Sequence, residues 1–450
     1  MQNLFIGISK YLFIILIAFF VFFSFIILRE KETSSHKAAL RIQSMMMYLF
    51  HLIAYIVIYL NTQDNTIILF YGGQLIFFII FRGLYDVFYD RAYNRGLLNN
   101  MCMLLCIGFV MITRLYYDRA VKQFIIVCVA SVLALIIPSI IRKYKNLANL
   151  TYIYCFAGIA FLAVVLVLGP ITGGAKLSIS VAGFSLQPSE FVKILYVFFI
   201  ASLLNKSTEF KYVLLSAVFA GLHVIILVLS TDLGSALIFF IVYVIMIYVA
   251  TGKSRYLFAG VIGGCLAAIT AYKLFSHIRV RVQAFIDPWS VIDTGGYQVA
   301  QSLFAIGTGG FLGLGLYGGL PTSIPLVGQD CMFSAISEEL GGFFGICLIF
   351  LCMSCFVYFI KSAMKQKVMF YRLIGLGLSV TYAVQTILTI GGAIKFIPAT
   401  GVTLPLVSYG GSSVLCTMVM FAVLQGLFVL NHDNKPEQTD NKSFRNGGTA

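Results

Sequence analysis

Apolar windows long enough for a helix to cross a bilayer recur along this chain, and they leave little choice of architecture. They fall near residues 10–28, 44–60, 66–82, 99–113, 122–141, 150–168, 188–205, 211–229, 233–251, 256–275, 339–360, 372–393 and 412–430. A span needs about 20 mostly apolar residues, and unpaired backbone is so costly in lipid that only helices or a closed barrel are stable there. No period-two alternation over strand-length segments recurs, so helices are preferred over a barrel. The expectation is an all-α, polytopic transmembrane bundle of about thirteen spans, with a long outer loop between the tenth and eleventh.

Composition agrees. Of 450 residues 60% are hydrophobic and 11% charged, and the mean hydropathy of +0.96 is beyond the range of soluble domains. The net charge of +14 is spread through short runs between apolar windows, which fits membrane topology and gives no patch for nucleic acid. Ten cysteines fall mostly inside apolar windows and read as small apolar residues. The first window has no cleavage signature after it and is expected to be a retained span.

Basic residues set the expected orientation. Arg29, Lys31, Lys37 and Arg41, then Arg82, Arg91 and Arg95, then Arg142, Lys143 and Lys145 mark connections on one side. Lys206, Lys211, Lys253, Arg255, Lys361, Lys365 and Lys367 continue the alternation. The N-terminus is then outside and the C-terminus cytoplasmic, with a disordered polar tail over 432–450. Arg114, Arg119 and Lys122 disagree, since they fall on the outer side.

About sixty residues separate the tenth and eleventh windows, a length that in other proteins usually carries function. From Thr294 to Gln329 this loop has no charge and many glycines, as expected of a segment packed back into the membrane surface. Asp330 follows, alone among Cys331, Met332 and Phe333. Two readings stand open: a carboxylate whose apolar surroundings raise its pKa, as a general base requires, or a cap for the next helix. Arg279 and Arg281 open the loop, either to hold a pyrophosphate or to snorkel to lipid phosphate. Glu190 and Lys193 share a helix face behind Pro188, as a functional or a structural ion pair. Asp232, at the outer end of another window, has the pattern of a cap.

These residues sit in a pattern that resembles a known family. The run Gly401-Val402-Thr403-Leu404-Pro405-Leu406-Val407-Ser408-Tyr409-Gly410-Gly411-Ser412-Ser413, preceded by Pro398, resembles the C-terminal signature of the shape, elongation, division and sporulation (SEDS) polymerases that include RodA, FtsW and SpoVE. Gln187-Pro188-Ser189-Glu190 with Lys193 is similar to a second motif of that family, and Asp232-Leu233-Gly234-Ser235-Ala236 to a third. In the long loop Gly296-Tyr297-Gln298, Gln301-Ser302 and Ala305-Ile306-Gly307 resemble its loop pattern, and Asp330 through Glu338-Glu339-Leu340-Gly341 the segment of its essential aspartate. Departures are Lys176-Leu177-Ser178 after Gly174-Ala175, Ser230-Thr231 before Asp232, and Gln329 before Asp330.

The resemblance implies a polymerase core over 99–431, preceded by extra transmembrane helices over 1–98 that are dispensable for chemistry. It implies a peptidoglycan glycosyltransferase that polymerises lipid II on the outer face of the cytoplasmic membrane during elongation, division or sporulation. Asp330 is then the catalytic base of an inverting step. Arg279, Arg281, Glu190, Lys193, Gln187, Asp232, Lys176, Ser408 and Ser412 are the expected substrate-binding set. The arginines, or a divalent cation, would offset charge on the leaving pyrophosphate. Expected partners are lipid II, membrane lipid and a class B penicillin-binding protein transpeptidase. Two alternatives remain: a lipid II flippase using Glu190 and Lys193 as the substrate path, and a non-catalytic scaffold for the transpeptidase.

Overall fold

The computed structural model describes residues 2–29, 34–90, 92–169, 178–181 and 184–433. Lys176, Lys31, Arg91 and the tail from 434 lie outside the described residues. The first ten helices are α1 (Gln2–Arg29), α2 (Ser34–Thr62), α3 (Asn65–Tyr89), α4 (Arg95–Leu115), α5 (Tyr117–Lys143), α6 (Thr151–Leu168), α7 (Pro188–Lys206), α8 (Phe210–Leu229), α9 (Leu233–Thr251) and α10 (Ser254–Leu274). Three shorter ones follow: α11 (Ser276–Ile286), α12 (Tyr297–Gly309) and α13 (Met332–Leu340). The chain closes with α14 (Gly342–Met364), α15 (Met369–Ala393) and α16 (Gly411–Asp433). Strands β1 (Ile179–Val181) and β2 (Phe184–Leu186) pair antiparallel, Ile179 opposite Leu186.

Thirteen of the described helices, α1–α10 and α14–α16, are long and apolar enough to cross a membrane. The tenth and eleventh of these flank the segment that holds α11–α13. One window differs from its helix: the apolar run from 339 is broken at Gly341, whose φ of +96° is open only to glycine. Glu338 and Glu339 therefore end α13, and the span starts afresh at Gly342.

Helix α4 lies at the centre, its membrane-length window wholly buried. Its two adjacent amides would be orphaned in an apolar bundle, and neighbouring helices supply partners. Asn100 donates to Ser354 of α14 (2.8 Å) and accepts from Ser24 of α1 (3.0 Å) and Gln43 of α2 (3.0 Å), while Asn99 donates to Gln43 (2.8 Å).

Helix α5 packs extensively on α16 and contains Pro138, which has no N–H to give the carbonyl one turn back. Tyrosines of α3 satisfy the freed groups. Tyr85 donates to Ala134 O at 2.8 Å, and Tyr89 to Leu135 O.

Of the charges that break the basic alternation, Arg114 is held inside the protein, whereas Arg119 and Lys122 are exposed. Arg114 bonds Glu339 at 3.0 Å and stacks 4.1 Å above Tyr317; Arg119 stacks on Tyr116 at 4.4 Å. A cation with an internal partner is not free to set topology as an unpaired loop charge is.

Candidate functional site

Asp330 sits at the close of a tight turn, its N–H donating to Leu326 O at 3.2 Å. The C-terminal signature loop fixes the turn from the other side. Tyr409 N donates to Gly328 O (2.7 Å), and the Ser408 hydroxyl donates to Gln329 O (2.6 Å) while accepting from Leu404 N (3.1 Å). Gln123 of α5 braces that loop, donating to Ser408 O and accepting from Gly410 N. Thus the two segments singled out in the sequence, about eighty residues apart, form one rigid wall.

Asp330 does not cap α13. The cap position is Cys331, with no side-chain bond to the helix. The Asp330 carboxylate instead lines a narrow cleft of about 20 Å³ between α12, α15 and the signature loop, with Gln298, Ser302, Thr400 and Gly401. Burial pushes its pKa up from 3.8 to about 6, against the pull of the Arg281 guanidinium. Gly401 separates these two charges. With φ at +75°, it takes a conformation that suits glycine, and a β-carbon there would lie 3.4 Å from Arg281 Nη2 and 3.7 Å from Asp330 Oδ2.

The two arginines are both exposed and point apart along α11. Residues two apart on a helix point in different directions, so α11 aims Arg281 toward Gly401 while Arg279 is exposed elsewhere.

A second polar cluster joins the ends of α7, α9 and α16. Asp232 caps α9 by accepting from Ser235 N (3.1 Å), and its other oxygen accepts from Ser189 (2.8 Å) and Gln187 (3.4 Å). Ser412 bonds Gln187 N (3.0 Å) and Ser185 O (3.1 Å), tying β2 to α16. Deeper in α7, Glu190 and Lys193 form a buried ion pair at 2.8 Å, and Lys193 donates to Gln385 of α15 at 2.7 Å. Ser408, Ser412 and Asp232 thus hold protein groups, whereas Asp330 accepts no side-chain or backbone bond among the described residues.

Sequence reasoning missed Gln385 and Thr400. Gln385 was visible as a lone amide inside an apolar window. Thr400, just before the signature run, has a buried hydroxyl with no hydrogen-bond partner among the described residues, in the same cleft as Asp330. Buried groups of this kind need a partner, and a bound substrate can be one.

Among the described residues no three His, Cys, Asp or Glu side chains gather as metal ligands would. No chemical step below runs through a divalent cation.

Comparison with known proteins agrees with this arrangement. The FtsW/RodA/SpoVE cell cycle protein family matches residues 95–432. The peptidoglycan glycosyltransferase RodA of Mycobacterium leprae is 34% identical over 354 residues, covering 73% of this chain and 76% of its own length. Stage V sporulation protein E of Bacillus subtilis is 31% identical over 296 residues, 62% of this chain and 78% of that protein. A chain solved in work on how a peptidoglycan synthase complex coordinates polymerization and crosslinking superimposes with a TM-score of 0.64 at 26% identity, covering 76% of this chain and 98% of that one. The rod shape determining protein RodA of Thermus thermophilus shares the fold, with a TM-score of 0.58 at 23% identity over 77% of this chain and 99% of that one. With the matched residues containing every motif quoted above, the chain belongs to the FtsW, RodA and SpoVE family of multi-pass membrane proteins.

Proposed function

We propose that this protein is a peptidoglycan glycosyltransferase that joins lipid II units on the outer face of the cytoplasmic membrane, with Asp330 as its general base. The observation that carries the catalytic assignment is a carboxylate left without a hydrogen bond in a cleft, beside a guanidinium and an unpartnered threonine hydroxyl. Relatives named as peptidoglycan glycosyltransferases support the reaction class.

In this reading Asp330 takes the proton of the acceptor sugar hydroxyl as its oxygen attacks the anomeric carbon of the donor. The carbon–oxygen bond to pyrophosphate breaks, and the pyrophosphate leaves with the electron pair. One displacement inverts the anomeric centre and needs no second carboxylate. Arg281 offsets the negative charge as it develops, while Thr400 and Gln298 are placed to bond sugar hydroxyls. Glu190, Lys193, Gln187, Asp232, Ser408 and Ser412 shape the walls, and Arg279 lies outside this cleft. The core runs over 99–431. The N-terminus is outside and the C-terminus cytoplasmic, as the basic loops favour, and a class B penicillin-binding protein crosslinks the product. Similarity to a chain from a peptidoglycan synthase complex supports that last pairing.

A flippase would route the headgroup past Glu190 and Lys193, but those charges are taken up by each other and by Gln385. The separating experiment is polymerisation of lipid II by purified protein. The parent forms glycan polymer, and Asp330→Asn loses about 10²–10⁴-fold in rate while still binding lipid II. Asp232→Asn, whose amide oxygen can still cap α9, keeps most of its rate. Polymer from Asp330→Asn at the parent rate would remove the base assignment.

A further inference from the structure

A roomy cavity lies away from the cleft of Asp330. It measures about 580 Å³ and lies among α2, α3 and α4, within the helices that precede the matched family segment or at its first turn. Arg95 and Asn99 line the cavity at the start of α4, and Arg114 holds Glu339 at its far end, about 30 Å away at 1.5 Å per residue.

Four cations drawn from three helices face this cavity, Lys37 and Arg41 of α2, Arg82 of α3 and Arg95 of α4. Against them stands one acid among the described lining residues, Asp86, already engaged by Arg95 (2.7 Å) and by the Tyr93 hydroxyl (2.7 Å). Ser44 and Tyr48 accept from Arg82 at 2.6 and 3.1 Å, which fixes a guanidinium that has five N–H donors and uses two. Lys37 and Arg41 have no partner among the described residues.

Basic residues at membrane ends ordinarily point outward into water, each from its own loop. Here they converge on a concavity, and its deeper wall is apolar. Leu40, Met45, Leu49 and Leu52 of α2 with Tyr71 of α3 continue the cavity into the membrane-length part of both helices. Met45, Leu49 and Leu52 are 51%, 37% and 38% exposed, so the wall is open on its membrane side.

We propose that this cavity binds a membrane phospholipid with an anionic headgroup. The phosphate sits among Lys37, Arg41 and Arg82, and an acyl chain runs along the α2 wall. A basic pocket between transmembrane helices continuous with an apolar groove is complementary to such a lipid at both ends. A zwitterionic headgroup brings its own cation to a surface already in positive excess, and inorganic phosphate leaves the groove unfilled. The site is separate from the cleft of Asp330 and does not depend on the reaction proposed there.

The test is native mass spectrometry of the purified full-length chain in non-ionic detergent, titrated with phosphatidylglycerol, with phosphatidylcholine, and with phosphatidylglycerol plus inorganic phosphate. The parent binds phosphatidylglycerol at least tenfold more tightly than phosphatidylcholine. Lys37→Gln with Arg41→Gln, both exposed and unpartnered positions, loses that preference, and Leu49→Trp, which fills the groove, weakens phosphatidylglycerol about tenfold. Asp330→Asn binds as the parent does. Equal binding of both lipids, or variants that bind as the parent does, would overturn the proposal. Displacement by millimolar phosphate with no effect of Leu49→Trp would also overturn it, in favour of a free-anion site.

Discussion

The hydroxyl of Ser408 donates to the backbone carbonyl of Gln329 across 2.6 Å, so the signature loop grips the residue immediately before Asp330. Ser408→Ala removes this bond and leaves Leu404 N without its acceptor. A lost buried hydrogen bond costs about 0.5–1.5 kcal/mol in stability. The loss in rate should be larger than that cost suggests, about ten- to a hundredfold, because the base shifts relative to its substrate. Thermal unfolding and polymerisation rate measured on the same preparation check this; an unchanged rate would mean the grip does not position Asp330.

The pH profile follows from burial. Asp330 must be ionised to accept a proton, and its pKa is about 6 instead of 3.8. Polymerisation should therefore fall below an acid limb near pH 6. Stability moves the other way. Because the folded protein holds the proton more tightly than the unfolded chain, the ionised Asp330 destabilises the fold above about pH 6, and this penalty fades as pH falls toward 4. Asp330→Asn should accordingly unfold at a higher temperature than the parent at pH 8 and at the same temperature near pH 4. Paired melting curves at the two pH values test the sign.

Gly401 holds apart Arg281 and Asp330. Gly401→Ala meets the penalty of a φ of +75° and places a methyl group between the two charges, in van der Waals contact at 3.4 Å with Arg281 Nη2 and 3.7 Å from Asp330 Oδ2. The backbone term is about 1 kcal/mol. The expected signature is a stable, membrane-inserted protein with polymerisation reduced at least tenfold. Parent activity in this variant would show that Arg281 and Asp330 need not face each other across that position.

The buried pair of Glu190 and Lys193 should be asymmetric to mutation. Glu190→Gln strands the Lys193 ammonium and costs about 3–5 kcal/mol, whereas Glu190→Gln with Lys193→Met removes both charges and recovers most of that loss. Unfolding of single and double variants in detergent reads this directly. A double variant as unstable as Glu190→Gln would place the importance of the site in the charges themselves, as the flippase reading requires.

Orientation has its own measurement. Ser290 is exposed in the segment between α11 and α12, and a cysteine there should react with a membrane-impermeant maleimide on intact cells, beyond the background of the parent. Reaction confined to permeabilised cells reverses the assigned topology.

Hydropathy made the spans legible because length and apolarity are the membrane's own criteria, and each window fell on a helix. What hydropathy cannot register is a change of backbone direction within an apolar run. The window from 339 therefore hid the break at Gly341, where a single positive φ detaches α13 and buries Glu338 and Glu339. The site was legible as motifs but not as geometry. Asp330 suited a cap in sequence; the helix simply starts two residues later. Arg279 and Arg281 resembled a clamp until helical spacing turned them apart. The partner of Arg114, Glu339, is distant in sequence, so a neutralised cation was counted as a topology signal.

The amide network around α4 bears on how the protein is assembled. Chains emerge N-terminus first, so Ser24 and Gln43 are already in the bilayer when the segment bearing Asn99 and Asn100 arrives, and those amides meet hydrogen-bond partners at once instead of hydrocarbon. The remaining partner, Ser354, lies 254 residues further on and is made much later. A version of the chain beginning at the edge of the matched segment would have to hold that polar helix in lipid through most of its own synthesis. The boundary drawn by sequence similarity thus runs between residues that hydrogen-bond each other in the folded protein.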